Sequence, residues 1–165
     1  ASNDIALNGK IVELKTKWFS ESHKAKIYDD FLPILSEIKN HKLKIAVATG
    51  TERHNLENIL GKNLVSEFDT IITANDITLG KPNPEPYLKA GRKLGIKPEN
   101  CIVVENAPLG IQAAKAAGMK CIAICTTLEE KHLKQADIIV QDHKELRKQL
   151  TLLFATPVMN RLKNG

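Results

Sequence analysis

Five short apolar runs, at residues 44–48, 70–73, 101–104, 120–124 and 137–140, alternate with segments whose apolar residues recur at helical spacing. The runs KIAVA, CIVV and KCIAI are nearly continuous in apolar character rather than alternating with polar residues. A strand of that kind has to be covered on both faces, and the intervening helices supply the cover. The pattern therefore predicts an α/β fold: a Rossmann-like three-layer core with a parallel sheet and helices on both faces.

The helical segments have readable ends. A helix is predicted over 29–42, with Leu32, Leu35 and Ile38 on its apolar face and Pro33 tolerated in its first turn. A second is predicted to start at an N-cap Thr51, run through Leu56, Ile59 and Leu60, and stop at Gly61. A third has Asn83 as N-cap and Pro84 at its first position, and Gly95 ends it. Further helices are predicted at 109–117, closed by Gly118, at 128–133 and at 143–154. Near the N-terminus, residues 5–14 read as a hairpin around Asn8-Gly9, or else residues 10–19 as a helix with Ile11, Leu14 and Trp18 on one face. The tail after residue 154 reads as a loose extension.

Apolar residues make up 42% of the 165, which is enough for one domain with a sizeable core. The net charge of +5 comes from lysines scattered along the chain, with no interleaved aromatics for base stacking, so nucleic acid is not the expected partner. No apolar run reaches the roughly 18 residues of a membrane span. The N-terminal residues lack the pattern of a secretory signal. Cys101, Cys121 and Cys125 are an odd number without framework spacing, which points to structural thiols in a reducing, cytoplasmic compartment.

Three polar stations each follow an apolar run. They are Thr49-Gly50-Thr51 after KIAVA, Gly80-Lys81-Pro82-Asn83-Pro84 after TIITANDITL, and Glu105-Asn106 after CIVV. Ligands of open parallel sheets sit beyond the carboxyl ends of the strands, so the three stations are expected to converge. The Thr49 hydroxyl can donate to a phosphate oxygen, and the Gly50 and Thr51 amides at a helix start can bind an anion. Thr51 also suits a plain capping role. Lys81 is presented by a segment stiffened by prolines at 82, 84 and 86, and can neutralise phosphate charge. Glu105 and Asn106 offer hard oxygen ligands of the kind Mg²⁺ takes, or else a pair that caps the following helix.

The string KIAVATGT, GKPNPEPY and CIVVENAPLGIQAAKAAGM resembles the haloacid dehalogenase superfamily, and within it the β-phosphoglucomutase and phosphoglycolate-phosphatase-like branch. The resemblance covers about residues 25–154. It implies Mg²⁺-dependent phosphoryl transfer on a small phosphorylated metabolite through an aspartyl-phosphate. By motif position, Thr49 and Lys81 hold the phosphate and serve catalysis, with Gly50 beside them, and Glu105 and Asn106 hold the metal. It further implies that residues 1–26 are the last piece of a helical cap, 27–154 the core and 155–165 a tail.

Two departures stand out against that pattern. Asn106 occupies a position where an aspartate is usual, so one negative charge is lost. None of the seven aspartates follows an apolar strand in an Asp-x-Asp pair, so the family's nucleophile is missing from these residues. The strand that would carry it is the family's central one. The expected order is 70–73 at one edge, then 44–48, a slot, 101–104, 120–124 and 137–140. The chain is accordingly expected to be part of a longer protein, or to take that strand from another chain or from residues 10–14, and to self-associate through its open edges. Three function classes remain: a phosphatase or phosphomutase, a non-catalytic relative that binds a phosphorylated ligand or a partner protein, and a phosphate-binding α/β domain of another family.

Overall fold

A computed structural model describes residues 27–155. Its elements, in chain order, are α1 (Phe31–Asn40), β1 (Ala46–Ala48), α2 (Arg53–Val65), β2 (Thr70–Ile72), α3 (Glu85–Leu94), β3 (Ile102–Glu105), α4 (Pro108–Ala116), β4 (Lys120–Ile124), β5 (Ile138–Val140) and α5 (His143–Phe154). Short 3₁₀ turns lie at Ala74–Asp76, Pro98–Asn100 and Glu130–His132. All strand pairs are parallel, as the continuous apolar runs require.

The described strands form two sheets, β1–β2 and β3–β4–β5. Among the described residues no ladder joins them. The expected slot lay between the 44–48 and 101–104 strands, whose counterparts are β1 and β3. Each sheet is locked at its amino end by an aspartate. Asp69 Oδ2 accepts the Ile45 amide at 2.7 Å, and Asp137 Oδ2 accepts the Cys121 amide at 2.7 Å. The segment 5–19 and the tail beyond 155 lie outside the described residues.

β4 shows why its sequence is apolar at every step. Cys121 and Ala123 face one core, with Val103, Ile111, Ala113, Ala114 and Leu133. Ile122 and Ile124 face another, with Ile34, Val140, Leu146, Leu150 and Phe154. Helices α3 and α4 cover the first face, α1 and α5 the second. α3 also packs on β1 and β2, so it spans both sheets. None of the described helices is long and apolar enough to cross a membrane.

Several predicted boundaries shift. α1 buries Ile34 and Leu35 and packs Ile38, while Leu32 is 54% exposed, because the helix starts only at Phe31 and its first turn lies outside the contact. α2 begins after an N-cap Glu52, not Thr51. Gly61 does interrupt it with φ +73°, a backbone state glycine adopts without steric cost, but the chain then turns helically again to Val65. The predicted helix at 128–133 is only the 3₁₀ turn Glu130–His132. α3 starts at Glu85 with Pro84, not Asn83, at the N-cap position, and Asn83 Oδ1 accepts the Glu85 amide at 2.9 Å from one residue further out.

Candidate active site

Two of the three stations lie directly at strand ends, and a loop brings the third to them. Thr49 directly follows β1, Lys81 sits in the loop from β2 to α3, and Glu105 closes β3 with Asn106 next to it. Lys81 joins them. Its Nζ donates to the Ala48 carbonyl at 3.2 Å and to Glu105 Oε1 in a short ion pair. The lysine side chain is 24% exposed and the glutamate 9%, so the pair stands at the inner edge of solvent. The Tyr87 hydroxyl donates to the same Glu105 Oε1 at 2.5 Å. The Asn106 amide donates to Glu105 Oε2 at 3.1 Å. Three donors thus fix one carboxylate, consistent with the rule that buried charge must be paired and hydrogen-bonded.

Thr49 Oγ1 accepts the Thr51 amide at 3.1 Å. This overturns one sequence reading: the Thr51 amide is committed to the loop itself, whereas no acceptor among the described residues takes the Gly50 amide. Asn106 does not cap α4. Its Nδ2 donates to Thr126 Oγ1 at 3.2 Å, and Ala107 holds the N-cap position. The Asn106 side-chain oxygen is left for another donor or a cation.

The loop that presents Lys81 is anchored at both ends. Asp76 accepts the amide and hydroxyl of the fully buried Thr73 at 2.9 and 2.8 Å, and Arg53 Nη2 at 3.0 Å. The Thr73 amide, the Thr73 hydroxyl and then the Arg53 guanidinium hold the Asp76 carboxyl far below its ordinary range. At the other end Glu85 accepts the amides of Thr78 and Leu79 at 3.0 and 2.7 Å, which holds its carboxyl low. The Lys81–Pro82 peptide is cis.

Sequence reading missed Tyr87, Gly110, Asp76 and Arg53. Tyr87 lies within the quoted motif but reads as an ordinary apolar helix residue, and its ring is indeed buried at 6%. Its phenol is pushed up by burial and then by the Glu105 carboxylate beside it. Gly110 did leave a signal, since glycine is unfavourable inside a helix. A Cβ built there would overlap the Glu105 carboxylate, so the helix has been pared back to seat that side chain.

Among the described residues no group of three His, Cys, Asp or Glu side chains gathers to hold a metal. The donors at the end of β3 are one carboxylate and one amide oxygen. That set fits Mg²⁺, which keeps several of its waters and takes one or two protein carboxylates. The carboxylate is already seated, in the space that Gly110 leaves.

Comparison with known proteins identifies the family. The family model of haloacid dehalogenase-like hydrolases matches residues 2–124. The validoxylamine A 7'-phosphate phosphatase of Streptomyces hygroscopicus subsp. limoneus is 35% identical over 120 residues, covering 72% of this chain and 56% of that protein. The glycerol-1-phosphate phosphohydrolase 1 of Saccharomyces cerevisiae is 40% identical over 115 residues, covering 64% of this chain and 46% of that one. Among solved structures, a Bacteroides vulgatus protein assigned as a beta-phosphoglucomutase superposes with a TM-score of 0.75 at 34% identity, covering 87% of this chain and 60% of its own. The chain spans about half the length of these curated phosphatases.

Proposed function

The chain belongs to the haloacid dehalogenase-like hydrolase family, and from that premise we propose that it forms the phosphate- and metal-binding part of a Mg²⁺-dependent phosphatase or phosphomutase. Its substrate class is a small phosphorylated metabolite, as the names of its phosphatase relatives suggest. The observation that carries the proposal is the position of Lys81. An ammonium has three N–H donors. The Ala48 carbonyl and Glu105 take two of them, which leaves one for a phosphate oxygen at the strand ends.

Each residue then has a task. The Thr49 hydroxyl, whose oxygen accepts the Thr51 amide, donates its own proton to a phosphate oxygen. The Gly50 amide supplies a second donor. Lys81 offsets the charge that builds on the phosphoryl oxygens, which is where stabilisation raises the rate. Glu105 and Asn106 hold Mg²⁺ through oxygen. When bound, the metal neutralises phosphoryl charge and orients the group. The carboxylate nucleophile comes from outside these 165 residues, since none of their aspartates lies in an Asp-x-Asp pair after an apolar strand. Residues 1–26 are read as the end of a cap and 155–165 as a tail. Thiols of this kind, none in a disulfide, suit a reducing compartment.

The second reading is a non-catalytic phosphate- or partner-binding relative, favoured by Asn106 in place of the usual acid. One experiment separates the two. The 165-residue chain should bind inorganic phosphate weakly, show no Mg²⁺-dependent hydrolysis of a general phosphate ester, and regain turnover when a segment bearing an apolar strand and an aspartate pair is added upstream. Turnover by the chain alone would overturn the placement of the nucleophile. Phosphate binding that is never converted to turnover, with such a segment present, would favour the non-catalytic reading.

A further inference from the structure

We propose that Tyr87 is a positioning residue that fixes the Glu105 carboxylate in one orientation, with its Oε2 edge presented to the metal. The inference rests on the reading of Glu105 as a Mg²⁺ ligand. Tyr87 lies on the first turn of α3, a helix that spans both sheets, while Glu105 ends β3. Its hydroxyl reaches Glu105 Oε1 at 2.5 Å, the oxygen that also receives Lys81. The other oxygen, Oε2, accepts, among the described residues, only the amide of the neighbouring Asn106. The two carboxylate oxygens are therefore unequal. Oε1 is saturated by a phenol and an ammonium, and Oε2 keeps lone-pair capacity on the side of Asn106.

Gly110 closes the cage from below. With no Cβ there, the carboxylate lies directly on the first turn of α4. A glutamate has three side-chain torsions, and holding it in one rotamer costs conformational entropy. A hydrogen bond from a buried ring on a rigid helix removes that freedom before the metal arrives. Such outer partners of metal ligands orient the ligand atom and tune affinity. The phenol does this without adding charge, while Lys81 remains available to the phosphate. The Tyr87 ring also lies against the Lys81 ammonium, 4.9 Å from its centroid, a contact that phenylalanine would preserve.

Tyr87→Phe removes the hydroxyl and keeps the packing. Mg²⁺ titration by calorimetry should be run on the 165-residue chain, on Tyr87→Phe and on Glu105→Gln, with thermal unfolding of each in the absence of metal. The expected result is that Glu105→Gln loses Mg²⁺ binding and that Tyr87→Phe weakens it about tenfold or more. A merely structural tyrosine would lower the melting temperature and leave Mg²⁺ affinity unchanged. That outcome, with Glu105→Gln still defective, overturns the positioning role and leaves the metal reading intact. If the parent chain binds no Mg²⁺, or Glu105→Gln binds it equally well, the metal reading fails by itself. A crystal structure of Tyr87→Phe then decides the remaining question. Glu105 leaving its seat over Gly110 supports the positioning role, and Glu105 unmoved overturns it.

Discussion

Lys81 and Ala48 are 33 residues apart in the chain, and the lysine ammonium donates to the alanine carbonyl at 3.2 Å. Ala48 is the last residue of β1, and the same ammonium pairs with Glu105 at the end of β3. One cation therefore touches the carboxyl ends of both described sheets. Its charge is offset by Glu105, and its third N–H has no hydrogen-bond acceptor among the described residues.

Replacing Lys81 by alanine should weaken inorganic phosphate binding by roughly tenfold to a hundredfold, the loss expected for a charge-assisted hydrogen bond. Phosphate titration followed by ³¹P NMR would measure this. An unchanged affinity would reduce Lys81 to a tie between the sheets.

Asn106→Asp should keep or tighten Mg²⁺ binding, because it adds a charged oxygen ligand. Calorimetry on both proteins is the check. Weaker binding in the variant would mean that the bond from Asn106 Nδ2 to Thr126, which the substitution removes, matters more than the added charge.

Much of the fold was legible because burial on both faces leaves a mark on every residue of a strand. β4 has the predicted bounds, 120–124. The stations were legible because each breaks an apolar run with a polar residue. The failures have physical causes too. Thr51 looks like a cap, but Thr49 takes its amide first, and the helix starts beyond Glu52. Residues 128–133 carry helical spacing over too few turns to propagate a helix, and a single 3₁₀ turn forms. Tyr87 was invisible as a site residue since its ring satisfies the core pattern and only its hydroxyl turns toward Glu105.

Stability should fall in acid, and Asp76 should be one cause. Its folded-state carboxyl is depressed below the ordinary 3.8, so the stabilisation it brings is complete above that value and is lost as pH falls toward the folded one. Asp137, Glu37 and Glu85 are shifted in the same direction. Asp76→Ala should cost about 2 kcal/mol or more at neutral pH, since it strands the amide and hydroxyl of buried Thr73. It should also flatten the acid limb. Urea midpoints between pH 7 and about pH 2.5 would show both effects, and a parallel limb in the variant would exclude Asp76 as a contributor.

Gly110→Ala should displace the Glu105 carboxylate, because the new methyl group occupies its seat. Despite the better helix propensity of alanine, the variant should lose about 1–3 kcal/mol of stability through overpacking, along with Mg²⁺ affinity. Thermal unfolding and a metal titration on one preparation test this. A more stable variant would mean that Glu105 can move aside without strain.

The two described sheets differ in how firmly they are built. β4 is flanked by strands on both sides and covered on both faces, whereas β1 and β2 are three-residue strands in a two-stranded sheet. A two-strand ribbon is marginal alone, so its amides should exchange with solvent well before those of β3 and β4. Thr49 rides on the labile sheet and Glu105 on the durable one. Opening of the β1–β2 unit would then separate the Thr49 hydroxyl from the Glu105 carboxylate while most of the molecule stays folded, and if phosphate binds as proposed, its addition should slow exchange in β1 more than anywhere else.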